Sequence, residues 1–335
     1  MREINKDRSF SLWLDFIERD FLKNRFIELI EDDIINGATS NPSIFANAIK
    51  NSKAYIEDLK SLENLSPKEK YEALAIKDIK SGAIALRALY DEGREGYISI
   101  EVDPFLANDA KESIKEGKRL FKEINEPNVM IKIPATEAGY EAMEELLSDG
   151  INVNATLVFS PLQAKKTIEA MKRGIDKFEQ FGGERVNGVI SVFVSRFDRL
   201  LDPILKEKNL PTSRVGVLNG AAIYNLIESS RVPAVKTLFA STGVKSGQNL
   251  EADYYIRELY APRSINTAPL ETIEAYLKNG EEESFKLPIP QDKIDSFFRE
   301  LEENGINMDE VYNKLLDDGL KAFEEAFKGI LDLLS

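Results

Sequence analysis

Residues 128 to 136 read NVMIKIPAT, and Lys132 sits in the middle of an apolar run. Val129, Met130, Ile131 and Ile133 have the continuous apolar character of a parallel-sheet strand buried on both faces, a costly place for a charge. Two explanations need no chemistry: a lysine on an edge strand that discourages sheet association, or a stem lying along apolar surface with its amine in water. The third is that burial favours the neutral, nucleophilic amine. The remaining composition narrows the chemistry. The chain has no histidine and no cysteine, which removes Ser-His-Asp and Cys-His sites, histidine-bearing zinc sites and all disulfides. What remains is lysine, carboxylates, hydroxyls or a cofactor.

The elements that must position such groups repeat along the chain. Eight short apolar runs alternate with helical stretches: SLWLDF from Ser11, NGATS from Asn36, YISIEVD from Tyr97, VMIKIP from Val129, VNATLVF from Val153, GVISVFV from Gly188, KTLFAS from Lys236 and SINTA from Ser264. The intervening segments carry helix signals, such as the Ser160-Pro161 start before LQAKKTIEAMKRGIDKF and the Gly150 stop after EAGYEAMEELLSD. Strand alternating with helix implies right-handed parallel units, and eight of them in 335 residues predict a (β/α)8 TIM barrel. The competing open doubly wound sheet lacks a Gly-rich dinucleotide fingerprint after an early strand. The stretch from Phe45 to Gly96 reads as a helical elaboration after the second strand. From about residue 288 to 335 amphipathic helices form a C-terminal extension, and the whole chain, 1–335, reads as one domain.

Barrel strands point alternate side chains inward. The parity of Lys132 gathers Met130 and Pro134; the other strands offer Trp13 and Asp15; Ser99, Glu101 and Asp103; Asn152, Asn154 and Thr156; Ser191, Phe193 and Ser195; Thr237, Phe239 and Ser241. Six strands would thus aim polar groups into one interior. Buried polar groups cost free energy unless satisfied, and barrel enzymes keep their sites at the C-terminal rim. Trp13, Phe193 and Phe239 read as walls. Two carboxylates inside a barrel, Asp15 and Glu101, also fit a glycosidase, although that leaves Lys132 unexplained. A non-catalytic sugar-phosphate-binding barrel is a third reading.

Net charge and termini bound the partners. Lys plus Arg number 44 against 58 Asp plus Glu, a net charge of −14, so the overall field repels nucleic acid and anionic membranes. An anionic substrate needs a local cationic pocket. The start MREINKDRSFSLWLDF has no signal-peptide apolar stretch, no run approaches the roughly 20 apolar residues of a membrane span, and the absence of cysteine fits a reducing, cytoplasmic setting.

The motifs GATSNPSIF (Gly37 to Phe45), VMIKIPAT (Val129 to Thr136) and INVNATLVFS (Ile151 to Ser160), with ISVFVSRFDR, LFASTGVK, INTAP and the helix GINMDEVYNKLLDDGLKAFEEAF, resemble the transaldolase family in its longer bacterial form, over essentially the whole chain. The resemblance implies a circularly permuted class I aldolase barrel that needs no metal or other cofactor. It implies transfer of a dihydroxyacetone unit between sugar phosphates such as sedoheptulose 7-phosphate or fructose 6-phosphate and glyceraldehyde 3-phosphate or erythrose 4-phosphate. Lys132 would form the imine, Asp15 would serve as base at the C4 hydroxyl, and Glu101 with Thr156 would move protons through a water. Asn41 and Asn154 would hold the hydroxyls of the carried unit, with Ser191 in the same pocket. The phosphate would fall to Arg196, Ser241 and the STGVK loop. Here the chain departs from the family: where some members have an arginine closely following the serine, it has Thr242-Gly243-Val244-Lys245, so Lys245 is the expected substitute. The nearest chemical alternative is an aldolase of the fructose-6-phosphate type that releases free dihydroxyacetone. Asp15 as a helix cap, and Arg196 as an ion-pair partner of Asp198 or Glu101, are the structural rivals. Monomer and homodimer both stay open.

Overall fold

The structure, a computed structural model, describes residues 10–245, 247–280 and 284–335. The reading of the first nine residues as free of a leader lies outside the described residues. Eight strands are present: β1 (Phe10–Leu14), β2 (Gly37–Ala38), β3 (Tyr97–Glu101), β4 (Val129–Pro134), β5 (Asn152–Val158), β6 (Gly188–Phe193), β7 (Val235–Ala240) and β8 (Ser264–Ala268). Every neighbouring pair is parallel, and β8 closes on β1. A closed (β/α)8 barrel has no edge, so Lys132 does not guard an edge strand.

The connecting helices start and stop where the sequence signals them. Ser160 and Gln163 form a capping box at the start of Pro161–Gln180, and Thr136 caps Glu137–Ser148, after which Gly150 takes φ +77°. The stretch after β2 contains the helices Pro42–Asn51, Ile56–Ser61 and Pro67–Asp91. After β8 and the helix Leu270–Asn279, two further helices, Gln291–Glu303 and Met308–Leu333, follow. Among the described residues no helix is long and apolar enough to cross a membrane.

Side-chain parity divides the strands into two apolar clusters. Leu12, Leu14, Ile98, Ile100, Val129, Ile131, Ile133, Val153 and Ala155 join the layer under the helices. Trp13, Tyr97, Met130, Val189, Leu238 and Ile265 pack together inside the barrel. Gly37 lies beneath the Trp13 indole, where a Cβ would come within 2.4 Å of the ring. The lower barrel is therefore filled with apolar side chains, and the polar inward groups sit above them, toward the strands' C-terminal ends.

The parity read for β7 is reversed. Leu238 and Ala240 face the barrel interior, whereas Phe239 joins the outer layer, with its ring 6.4 Å from that of Tyr224. The sequence KTLFAS has a hydroxyl on one parity and an apolar residue on both, so alternation alone does not orient it. Asp103 is likewise no interior residue: β3 ends at Glu101, and the Asp103 carboxylate caps the turn at Pro104 and pairs with Lys68 at 2.6 Å. The inward polar group that β7 lacks is supplied by β8, through Thr267.

Candidate active site

Lys132 is 5% exposed, held at mid-strand by the burial of Ile131 and Ile133 on one side of the sheet and of Met130 on the other. It does not reach bulk water in the way a surface lysine does. Its Nζ donates to the carbonyl of Ser40 at 3.2 Å, lies 3.9 Å from Glu101 Oε2, and stands 5.8 Å from the centroid of the Phe323 ring. Ser40 is itself fixed, because its hydroxyl donates to the Ser99 carbonyl at 2.7 Å.

Asp15 follows the last residue of β1 and keeps some surface open to a cavity of about 260 Å³ in the barrel mouth. Its Oδ1 accepts from the Thr39 hydroxyl at 2.6 Å, and Thr39 Oγ lies 2.7 Å from that of Thr267. Thr39 has one hydroxyl hydrogen and gives it to the carboxylate, so Thr267 donates to Thr39. Asp15 caps no helix; Glu18 caps the one that follows. The barrel encloses Asp15 on every side but the cavity, and the loss of water raises its pKa, against the lowering effects of Lys132, the Thr39 hydrogen bond and Lys245.

Glu101 pairs in register with Lys132 across β3 and β4, and Thr156 pairs with Pro134 across β4 and β5. Both are buried beside the cavity without belonging to its lining. Burial pushes the Glu101 carboxyl up to about 7, with Lys132 opposing and Asp15 adding to the rise. Glu101 Oε2 and Thr156 Oγ1 are buried with no hydrogen-bond partner among the described residues. Between Ala155 and Val158 the strand loses regular register with β6, and Leu157 takes φ +56°. For a leucine this left-handed backbone is strained, a feature that concentrates at functional sites.

Asn154 is likewise buried and outside the lining. Its Nδ2 donates to Ser99 Oγ at 3.0 Å and its Oδ1 accepts from Ser191 at 2.6 Å, forming a polar bridge across three strands. Ser191 does line the cavity, as do Asn41, Arg196, Ser241 and Lys245. Asn41 Oδ1 caps the helix Pro42–Asn51 by accepting from the Ile44 N–H at 3.1 Å, which leaves its amide nitrogen as a donor.

Arg196 is the second residue of the helix Ser195–Glu207, with its guanidinium 5.1 Å from the centre of the Phe193 ring. It has no carboxylate within ion-pair distance among the described residues. The proposed partners are occupied elsewhere, Asp198 by the Gly216 N–H and the Tyr255 hydroxyl, Glu101 by Lys132. Burial and the neighbouring Arg199 lower the Arg196 pKa, with Asp318 opposing. Beside it, Ser241 adopts φ +56° and its Oγ lies 3.1 Å from Ser195 Oγ.

Ten residues singled out from the sequence thus converge on one barrel end: Lys132, Asp15, Asn41, Ser191, Arg196, Ser241 and Lys245 around the cavity, with Glu101, Thr156 and Asn154 buried on the strands beside Lys132. Phe193 is a wall; Trp13 lies deeper and Phe239 faces the helices. Among the lining residues that went unread are Thr39, Thr267, Arg199 and Phe323. Thr39 and Thr267 lie within motifs quoted above, and Arg199 is three residues after Arg196 on the same helix, a spacing that puts both on one face. Phe323 comes from the C-terminal helix and carries no local sequence signal.

Comparison with known proteins agrees with this geometry. A family model described as Transaldolase/Fructose-6-phosphate aldolase matches residues 12–334. A Helicobacter pylori (strain Shi470) protein named Transaldolase is 46% identical over 325 residues, covering 97% of this chain and 99% of that protein. One of the same name from Campylobacter jejuni subsp. doylei is 46% identical over 334 residues, covering 98% and 100%. With a matched family model spanning nearly its whole length, the chain belongs to the transaldolase/fructose-6-phosphate aldolase family.

Proposed function

We propose that this protein is a transaldolase, moving a dihydroxyacetone unit from a ketose phosphate to an aldose phosphate through an imine on Lys132. The observation that carries the reading is the buried Lys132 amine beside Glu101, at the base of a cavity that Asp15 also lines. In the proposed cycle the Lys132 nitrogen adds to the donor's C2 ketone, and loss of water gives the iminium, an electron sink. Asp15 takes the C4 hydroxyl proton, the C3–C4 bond breaks, and the aldose departs. The enamine left behind attacks the aldehyde carbon of the acceptor, and the proton on Asp15 goes to the new hydroxyl. Water then hydrolyses the iminium and frees the product and the amine.

Glu101 and Thr156 are the proposed pair that handles the water of imine formation and hydrolysis. A carboxyl near 7 can both give and take a proton at neutral pH, and the Glu101 Oε2 and Thr156 Oγ1 atoms, neither of which has a hydrogen-bond partner among the described residues, support that role. Asn41 and Ser191 are assigned to hydroxyls of the carried unit, with Asn154 behind them. Arg196, Lys245 and Ser241, joined by Arg199, are assigned to the phosphate. A planar guanidinium clamps phosphate with two hydrogen bonds, so Arg196 is given the larger share. We read the protein as cytoplasmic, on the composition's argument alone.

Borohydride reduction in the presence of fructose 6-phosphate, followed by peptide mapping, tests the reading. The expected result is loss of activity and a three-carbon adduct on Lys132. A label on another lysine, or none on active protein, overturns it.

A further inference from the structure

The helix Met308–Leu333 is appended after the barrel, yet one of its faces completes the site. Gly319 packs so closely that a Cβ there would stand 3.0 Å from Leu157 and 3.3 Å from the Arg196 guanidinium. One turn on, Phe323 is 6% exposed and lines the cavity with its ring 5.8 Å from Lys132 Nζ. Another turn on, Phe327 anchors the helix edge-on against Tyr71, centroids 5.2 Å apart. The amine is thus bounded by a carbonyl and a carboxyl on the barrel side and by an aromatic face on the other.

That arrangement bears on a choice that the aldol chemistry leaves open. After the aldose departs, the enamine either attacks a new aldehyde or is lost. Loss requires a proton on the enamine carbon, addition of one water to the imine carbon, and cleavage of the C–N bond. One water is consumed, free dihydroxyacetone leaves, and the lysine amine is regenerated, with no oxidant or reductant. Glu101 and Thr156 offer polar atoms for a water on one side of the lysine, whereas the Phe323 ring offers neither donor nor acceptor in its plane's approach. An apolar wall excludes water from a reactive intermediate.

Resting on the transaldolase reading above, we propose that Phe323 is a specificity-determining residue, favouring transfer over release by closing the C-terminal helix's side of the carried unit to water. The test compares dihydroxyacetone released from fructose 6-phosphate alone with transfer to erythrose 4-phosphate, in the wild type, Phe323→Leu and Phe323→Ala. The ratio of release to transfer is expected to rise at least about tenfold in Phe323→Ala and by an intermediate amount in Phe323→Leu, with the borohydride adduct on Lys132 retained in each. Should the alanine variant not fold, the leucine variant decides. An unchanged ratio in a folded variant, with both rates falling together, overturns the inference and leaves a packing role. A wild type with neither transfer nor adduct would instead overturn the reading on which it rests.

Discussion

At the scale of single residues, the barrel end holds two carboxyls in different surroundings. Asp15 is gripped by a hydroxyl relay and faces the cavity, while Glu101 is enclosed and its Oε2 faces Lys132 without a hydrogen bond among the described residues. Asp15→Asn preserves the size and the Thr39 contact and removes the base. Imine formation should survive and carbon-carbon cleavage should slow by roughly 10²–10⁴-fold, so that the donor imine accumulates in borohydride trapping. Equal loss of both steps would make Asp15 structural. For Glu101, burial lifts the carboxyl from its ordinary 4.5 to about 7, so between those pH values the folded state binds a proton that the unfolded state has released. Stability from this group is full below the lower value and is lost as pH rises to the upper one, by about 3 kcal/mol. Glu101→Gln removes the titration, so the urea midpoint of the variant relative to wild type should improve across that window and level off above it. A difference independent of pH would mean that Glu101 is ionised throughout. These residues were legible because a charge or amide in an apolar run is a local anomaly. Phe323 was not, since a phenylalanine on an amphipathic helix is ordinary until the fold brings it over Lys132.

Among the elements, strands and helices were legible for different reasons. Buried parallel strands write themselves as apolar runs, and β4 falls on the residues read as VMIKIP. Parity failed at β7 because both of its faces are buried and Thr237, on the outward parity of Phe239, is buried with a hydroxyl that has no hydrogen-bond partner among the described residues. Close approach between elements has no sequence pattern either, and the C-terminal helix shows the consequence. Gly319 lies against both the strained bulge at Leu157 and the Arg196 guanidinium. Gly319→Ala gains helix propensity of up to ~1 kcal/mol and meets contacts that need only small shifts, so stability should hardly change. Gly319→Val cannot be absorbed in that way. Overpacking should cost about 1–3 kcal/mol in unfolding and push the helix off Arg196, raising KM for glyceraldehyde 3-phosphate more than for glyceraldehyde. If valine lowers stability but leaves the two acceptors equally affected, the helix does not set the position of Arg196.

The whole molecule sets a long-range field against a local one. A chain of 335 residues with net charge −14 repels a dianionic substrate from a distance, while Arg196, Arg199 and Lys245 line a single cavity without carboxylate partners among the described residues. The overall imbalance was readable by counting, and two of the three cations, Arg196 and Lys245, were named from their motifs; Arg199, one helical turn after Arg196, was not, because nothing in the sequence says which face of that helix meets the cavity. The two fields differ in range. For a domain of this length the bulk charge lies about 20 Å from the centre, whereas a bound phosphate would sit within a few ångströms of the cations. The screening length shrinks from about 30 Å at 0.01 M salt to about 8 Å at 0.15 M and about 3 Å at 1 M. Moderate salt therefore removes the repulsion first and high salt weakens the attraction second. We expect kcat/KM for glyceraldehyde 3-phosphate to rise between about 0.01 and 0.15 M salt and to fall toward 1 M, with glyceraldehyde nearly flat over the same range. In Arg196→Ala the rise should persist while the later fall diminishes, because the distant charge is intact and the local one is reduced. A monotonic fall from the lowest salt in the wild type would mean that the three cations govern the approach of substrate as well as its binding, and that the −14 has no part in it.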